Sequence, residues 1–257
     1  VTLHYDLYWS FRSPYSYLAT SRLLALERTY DVHCHVRPVY PLAVRTPEFF
    51  EGRDPLWFSY LMMDIAREAA FVGLPLRWPR PDPVYMDRAT RTYPADQPHI
   101  HRLTHMGVAA AELGRGLPFL AEVSHLIWSG EVDDWHQGDH LRRAAERADL
   151  DADALMTAVD DDAERLRFVV EKNQTDQRAA GHYGVPIMVF GGEPFFGQDR
   201  IDQLKWRMEA AGLTRRHVEA AGAKPRRRLG SLAGIAVISN DFDAPLPDDI
   251  LDAFEGH

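Results

Sequence analysis

Two short runs near the start of the chain carry strand patterns. Residues 3–9 are rich in aromatic and aliphatic side chains suited to a sheet, and Val32-His33-Cys34-His35-Val36-Arg37 alternates apolar with polar positions, the period of a half-buried strand. Pro38 and Pro41 then interrupt regular pairing. Between the runs the pattern changes sharply at Phe11 to Tyr15, where Ser13 is suited to cap a helix and Pro14 to occupy its first turn, and the helical period continues to about residue 30. From residue 47 to 174 helix-like stretches dominate, at 56–71, 100–113, 117–129, 138–148 and 152–174, with a proline-rich irregular connection at 75–98. Strand character returns at 187–190, followed by a Gly191-Gly192 turn, a short run at 194–196 and a helix at 201–211 with Asp199 at its edge.

The order β-α-β, a long helical stretch, then β-β-α predicts an α/β protein of thioredoxin-like fold with a large inserted all-helical domain. Residues 1–46 and 175–213 form the thioredoxin-like part, 47–174 the insertion and 214–257 a C-terminal extension. In that extension 224–228 reads as a solvated basic linker, 235–238 as a short strand and 248–254 as a short helix.

With 257 residues and 46% hydrophobic content, the chain is able to bury a substantial core. A formal net charge of −9 argues against a broadly basic surface for nucleic acid. The start lacks the apolar core of a secretion signal and no later run reaches spanning length, so no membrane partner is expected and the cytoplasm is the predicted compartment. His99, His101 and His105 cluster in sequence, but their spacing suits no particular metal site, and no metal is expected.

Cys34 is the single cysteine, and it reads as a small core residue of its strand. No intrachain disulfide forms, and dithiol exchange is excluded. At the strand-to-helix junction, where a thioredoxin-like redox enzyme carries Cys-x-x-Cys, this chain has Ser13-Pro14-Tyr15-Ser16.

Three segments in order sharpen this: Tyr8-Trp9-Ser10-Phe11-Arg12-Ser13-Pro14-Tyr15-Ser16-Tyr17-Leu18-Ala19, then Tyr183-Gly184-Val185-Pro186-Ile187, then Phe195-Phe196-Gly197-Gln198-Asp199-Arg200. Together they resemble the 2-hydroxychromene-2-carboxylate isomerase and kappa-class glutathione transferase family, whose members are DsbA-like in architecture. The resemblance covers about residues 3–213 and includes Asp64-Ile65-Ala66-Arg67 and the Gly73-Leu74-Pro75 turn. It implies glutathione as cofactor, an aromatic small-molecule substrate, a homodimer, and glutathione-dependent cis-trans isomerisation of a chromene carboxylate or related enone-ketoacid. A kappa-like glutathione transferase and a nonenzymatic glutathione-binding protein are the alternatives.

The resemblance also assigns residues. Ser13, rather than Ser10 or Ser16, stands beside the glutathione sulfur, where its hydroxyl is able to hydrogen-bond a thiolate; capping of the helix is its other reading. Val185 and Pro186 form a cis-proline approach whose backbone meets the glutathione peptide, against a simple strand-start proline. Gln198 and Asp199 handle the γ-glutamyl end, with a helix cap as the alternative for Asp199. Arg37 is a candidate to steer a substrate carboxylate, and Trp57 and Tyr60 to line an aromatic pocket, although surface pairing and core packing are ordinary roles for these types. After Pro38 the chain departs from the family pattern, with Val39-Tyr40-Pro41-Leu42-Ala43-Val44-Arg45-Thr46-Pro47 in place of a Gly-rich continuation bearing lysine and asparagine.

Overall fold

The computed structural model describes residues 2–50, 54–87 and 92–216. The linker, strand and helix expected at 224–228, 235–238 and 248–254 lie outside the described residues. In chain order the elements are β1 (Leu3–Trp9), α1 (Pro14–Thr29), β2 (Val32–Pro38), α2 (Leu42–Arg45), a 3₁₀ turn (Pro47–Phe50), α3 (Pro55–Val72), α4 (Pro98–Glu112), α5 (Gly116–Trp128), α6 (His140–Arg147), α7 (Ala152–Asp161), α8 (Ala163–Ala179), β3 (Ile187–Phe190), β4 (Glu193–Phe196), a 3₁₀ turn (Gln198–Arg200) and α9 (Ile201–Ala210).

The strands form one mixed sheet in the order β2-β1-β3-β4. β2 runs parallel to β1 from Leu3↔Val32 to Trp9↔Pro38, a pairing that requires a crossover, and α1 supplies it. β3 is antiparallel to β1 and turns directly into β4 through Gly191 and Gly192, whose φ values of 59° and 83° fit the two-residue hairpin turn that opposes Phe190 to Glu193. Paired on both sides, β1 buries Tyr5, Leu7, Tyr8 and Trp9. β2, paired in the sheet on one side, keeps the expected alternation: Val32, Cys34, Val36 and Pro38 inward, His33, His35 and Arg37 outward.

The core runs without interruption from Leu7, Trp9 and Leu18 of the sheet layer through Leu103, Phe119 and Trp128 to Leu155 and Leu166 of the helical region. α4 lies against β2 and the loop after β1, where a Cβ added at Gly107 would stand 3.0 Å from the Phe11 ring and 3.1 Å from Pro38. Among the described residues, no helix is long and apolar enough to cross a membrane.

The thioredoxin-like architecture with its helical insertion is as the pattern predicts, with two corrections. The single helix expected at 152–174 is two, broken at Asp162, and the second continues to Ala179. Asp162 and Glu164 stand at the start of the second helix, where the helix dipole favours carboxylates. The proline-interrupted segment after β2 also contains the four-residue α2 and a 3₁₀ turn that begins at Pro47.

Candidate active site

Ser13 sits where β1 has ended and α1 begins, in extended conformation (φ −96°, ψ 116°) with Pro14 at the first helical position. Its Oγ accepts a hydrogen bond from the Ser16 amide at 3.2 Å and donates one to the Val185 carbonyl at 3.3 Å. The capping role is therefore present, and the same oxygen bridges to a residue 172 positions away. Ser16 is fully buried.

The loop that presents Ser13 is held from several sides. Trp128 Nε1 donates to the Phe11 carbonyl at 2.8 Å, and the Ser13 amide donates to the Ser10 carbonyl at 3.1 Å. Arg12 pairs with Asp82 (Nε to Oδ1, 2.7 Å) and lies 4.6 Å over the Trp78 ring, whose Nε1 donates to the same carboxylate at 3.1 Å. Trp78 and Asp82, from the proline-rich connection that is irregular as expected over residues 75–86, thus brace the Ser13 loop.

Val185-Pro186 is a cis peptide. The Pro186 carbonyl accepts from the Gly197 amide at 2.9 Å, which joins this loop to the turn after β4. Gly197 has φ 106°, a backbone conformation that favours glycine.

Val185, Phe196 and residues 197–200 form one wall of a cleft of about 420 Å³, and Tyr15, Tyr60, Asp64 and Glu68 form the other. Tyr60, Asp64 and Glu68 are spaced i, i+4, i+8 on α3, which places them on one helix face. Tyr15 Oη donates to Asp64 Oδ2 at 2.5 Å, and Arg67 pairs with Asp64 from the other side while also donating to Tyr60 Oη at 3.2 Å. The Tyr15 hydrogen bond, reinforced by Arg67, holds the Asp64 carboxyl below its ordinary pKa. Burial and the same hydrogen bond raise the Tyr15 phenol, which stays protonated at neutral pH. Gln198 Nε2 donates to Glu68 Oε2 at 2.6 Å, and Arg22 donates to the Gln198 carbonyl at 2.9 Å. With Asp64, Glu68 and Asp199 against Arg200, the lining favours an ammonium-bearing ligand end.

The structure therefore brings Ser13, Val185, Gln198, Asp199 and Tyr60 to one region, with Pro186 buried behind Val185. Gln198 is itself buried, with its amide committed to Glu68. Asp199 is exposed beside Arg200 at 3.6 Å and makes no side-chain cap for the helical turn. Arg37 and Trp57 do not line this cleft. Arg37 points outward from β2, pairs with Asp6 of β1 at 2.6 Å and lines a separate depression beside α4 and α5. Trp57 packs on Phe49 and Phe50, at ring separations of 6.5 and 6.2 Å. Asp64, Glu68, Tyr15 and Arg200 had no assigned role in the sequence reading. The i, i+4 spacing of two carboxylates within an otherwise apolar helix was the available signal.

Residues 5–209 match the model of the DSBA-like thioredoxin domain, and the chain belongs to that family. It is 29% identical over 204 residues to a 2-hydroxychromene-2-carboxylate isomerase of Sphingobium xenophagum, covering 78% of this chain and 95% of the relative. It is also 25% identical over 210 residues to the enzyme of that name from Pseudomonas putida, covering 79% and 93%. Among solved structures, a 2-hydroxychromene-2-carboxylate isomerase superposes with a TM-score of 0.62 at 21% identity, over 81% of this chain and 96% of the other. The cytosolic disulfide reductase DsbM of Pseudomonas aeruginosa, solved with GSH, gives 0.52 at 14% identity, over 80% and 100%. The family resemblance read from the three motifs is upheld.

Proposed function

We propose that the protein is a glutathione-dependent cis-trans isomerase acting on an aromatic chromene carboxylate or a related enone-ketoacid, with Ser13 as its catalytic residue. The observation that carries the reading is the Ser13 hydroxyl at the N-terminus of α1, 3.3 Å from the Val185 carbonyl and beside the acidic cleft. Relatives bearing the isomerase name support the choice of reaction.

The donor set fits glutathione. The Val185 amide has no acceptor among the described residues and is available to a ligand carbonyl. Asp199 offers a carboxylate to the γ-glutamyl ammonium, and Gln198, though tied to Glu68, retains its side-chain carbonyl. When bound, glutathione supplies a sulfur nucleophile that adds reversibly to an activated double bond, permits rotation about the resulting single bond and leaves with the double bond restored. Ser13 has one proton, and the Val185 carbonyl holds it across a long 3.3 Å contact. Transfer of that donor to a thiolate exchanges a neutral hydrogen bond for a charge-assisted one, and the α1 dipole acts in the same direction. Tyr60 presents an aromatic face to the cleft for a planar substrate. No net redox change results.

The same reading includes a homodimer. Support comes from α3, of which only Ile65 and Ala69 are buried while Leu56, Phe58, Met63 and Phe71 are exposed, a larger apolar surface than a lone helix ordinarily presents to water.

The test is conversion of 2-hydroxychromene-2-carboxylate, followed by absorbance and product mass with and without glutathione, for wild type and folded Ser13→Ala protein. Glutathione-dependent conversion without mass gain, lost on substitution, is expected. Full activity of Ser13→Ala at saturating glutathione removes the assigned role, and a product heavier by one glutathione makes the protein a transferase.

A further inference from the structure

Three successive carbonyls on the approach to the cleft each accept a hydrogen bond from a different side chain. Arg45 Nη2 donates to the Tyr183 carbonyl, Gln177 Nε2 to the Gly184 carbonyl at 2.6 Å, and Ser13 Oγ to the Val185 carbonyl at 3.3 Å. The first two donors form one unit, because Arg45 Nη1 also donates to Gln177 Oε1 at 2.9 Å. Gln177 is fully buried on α8, and each end of its amide is used once. On the other side of the strand of chain, the Gly184 amide donates to His182 Nδ1 at 2.8 Å, and the His182 ring stacks on Phe196 at 4.0 Å.

Arg45 belongs to the segment after Pro38 where the chain departs from the family pattern, and it is the last residue of α2. Among the described residues it forms no ion pair, although its guanidinium is largely shielded from water and its Nε is buried without a partner. Burial, reinforced by Arg178, lowers it to about 10. An arginine so placed is costly unless its remaining donors are used. Here both terminal nitrogens are used, Nη2 on the backbone that leads into Val185 and Nη1 on the glutamine that holds the next carbonyl, while Nε stays unpartnered.

We infer that Arg45 and Gln177 are positioning residues for the ligand-binding loop: together they grip the Tyr183 and Gly184 carbonyls and so aim the free Val185 amide into the cleft. Neither side chain lines the cleft, so the pair acts through Val185. A loop held by side chains from two other elements meets its ligand already ordered, and affinity reflects ordering that need not occur on binding. The consequence for ligand affinity rests on the glutathione reading, whereas the consequence for the loop does not.

The experiment therefore has two arms. In the first, amide hydrogen exchange and ¹⁵N relaxation are measured on wild type, Arg45→Met and Gln177→Leu without ligand. Faster exchange at Gly184 and greater mobility confined to residues 182–186 are expected, with β1 and α4 unchanged. Unchanged loop behaviour in both variants overturns the inference, as does a rise in exchange spread evenly over the molecule. In the second arm, glutathione binding is measured by calorimetry on the same proteins, with Arg45→Lys as a variant that keeps charge and one donor. Weakening of roughly tenfold in Arg45→Met, less in Arg45→Lys, and no further loss when Gln177→Leu is added to Arg45→Met, is the pattern of one unit acting through the loop. Equal affinity in wild type and Arg45→Met overturns the positioning role while leaving the glutathione reading intact. Absence of binding to wild type removes the glutathione reading, and the first arm then decides the inference by itself.

Discussion

On the Val185 side of the cleft, successive backbone carbonyls are gripped by Arg45, Gln177 and Ser13, and the Pro186 carbonyl by the Gly197 amide. On the α3 side, the lining consists of side chains bound to other side chains: Tyr15 and Arg67 on Asp64, Gln198 on Glu68. The helix that carries them is an 18-residue element with two fully buried residues. A backbone position held by side chains from distant elements moves only if those elements move, whereas side-chain pairs at a surface exchange partners on the nanosecond scale. The difference suits the proposed reaction. The side that would receive the constant cofactor is fixed by the core, and the side that would meet a variable substrate is built from adjustable groups.

The largest effect is expected where the fixed side touches chemistry. Ser13→Ala removes both the hydroxyl and the helix cap, whose loss alone costs about 1 kcal/mol of stability. Ser13→Gly removes the hydroxyl with only a few tenths of that penalty, about 0.3 kcal/mol. If the hydroxyl stabilises developing negative charge on sulfur, both variants lose about 10²- to 10³-fold in kcat while only Ser13→Ala melts appreciably earlier. A Ser13→Gly protein with wild-type kcat would leave Ser13 as a cap and nothing more.

A second test probes rigidity. A Cβ at Gly184 would lie 2.4 Å from Phe196 Cε2 and 2.9 Å from His182 Cε1, so the stacked pair of rings would have to shift. Gly184→Ala is expected to destabilise the protein by about 1–3 kcal/mol in urea unfolding and to weaken ligand binding with it. Ala66→Gly on exposed α3 costs about 1 kcal/mol through helix propensity alone and leaves binding unchanged. Equal effects of the two on binding would erase the distinction between the walls.

The parts of this arrangement that were legible in the sequence are those fixed by local chemistry. β2 is read from Val32, Cys34 and Val36 because an edge strand with one covered face must alternate, and the start of α1 from Ser13-Pro14 because capping is local. Ser13, Val185 and Asp199 were reached through ordered motifs, and Tyr60 through its residue type and position in the helical region. Arg37 and Trp57 were not separable from residues that line the cleft, since an outward arginine beside Asp6 and a tryptophan packed on Phe49 and Phe50 depend on which strand and which turn come alongside. The Arg45-Gln177 clamp joins positions 132 residues apart, and no local pattern encodes such a meeting. The break at Asp162 lies inside a continuous amphipathic period, which masked it.

A buried pair away from the cleft titrates in a different window from the α3 wall. Tyr40 Oη and His105 Nε2 are hydrogen-bonded at 2.8 Å just beyond the end of β2. Burial, with His101 and Arg167 nearby, lowers His105 from 6.5 to about 4. A depressed histidine binds its proton in the unfolded chain before the folded one, so stability falls as pH drops from about 6.5 to about 4, with a slope of up to about 1.4 kcal/mol per pH unit. Asp64 has the opposite charge and the same direction of shift: its contribution is complete above the unfolded carboxyl value of about 3.9 and disappears only as pH falls further, through its lowered folded value. His105→Gln keeps an acceptor for Tyr40 without the proton. It is expected to flatten the unfolding free energy between pH 6.5 and 4, by about 1–2 kcal/mol over the window, and to leave the more acidic limb of Asp64 in place. An unchanged profile in His105→Gln would show that another group sets the acid limb.

The smallest change in chain stability is expected on the outer face of α3. Phe71 is 84% exposed and Phe58 56% exposed, so Phe71→Ser and Phe58→Ser remove almost no packing within one chain and should alter its unfolding free energy by less than about 0.5 kcal/mol. The same substitutions act strongly on any second copy seated there, because burial of an aromatic side chain contributes about 1.5–3 kcal/mol at each contact and a symmetric interface counts every substitution twice. If the proposed dimer forms through this face, sedimentation should show dimers for wild type and monomers for Phe58→Ser at the same concentration, with melting temperature rising with protein concentration for wild type only. Since Tyr60, Asp64 and Glu68 stand on the same helix, loss of the proposed dimer should also loosen the adjustable wall and raise the substrate KM, while kcat, if Ser13 sets it as proposed, stays near that of wild type. A variant that remains dimeric with unaltered KM would detach the apolar face from both assembly and catalysis, and the plasticity of the α3 wall would then have to come from its side-chain pairs alone.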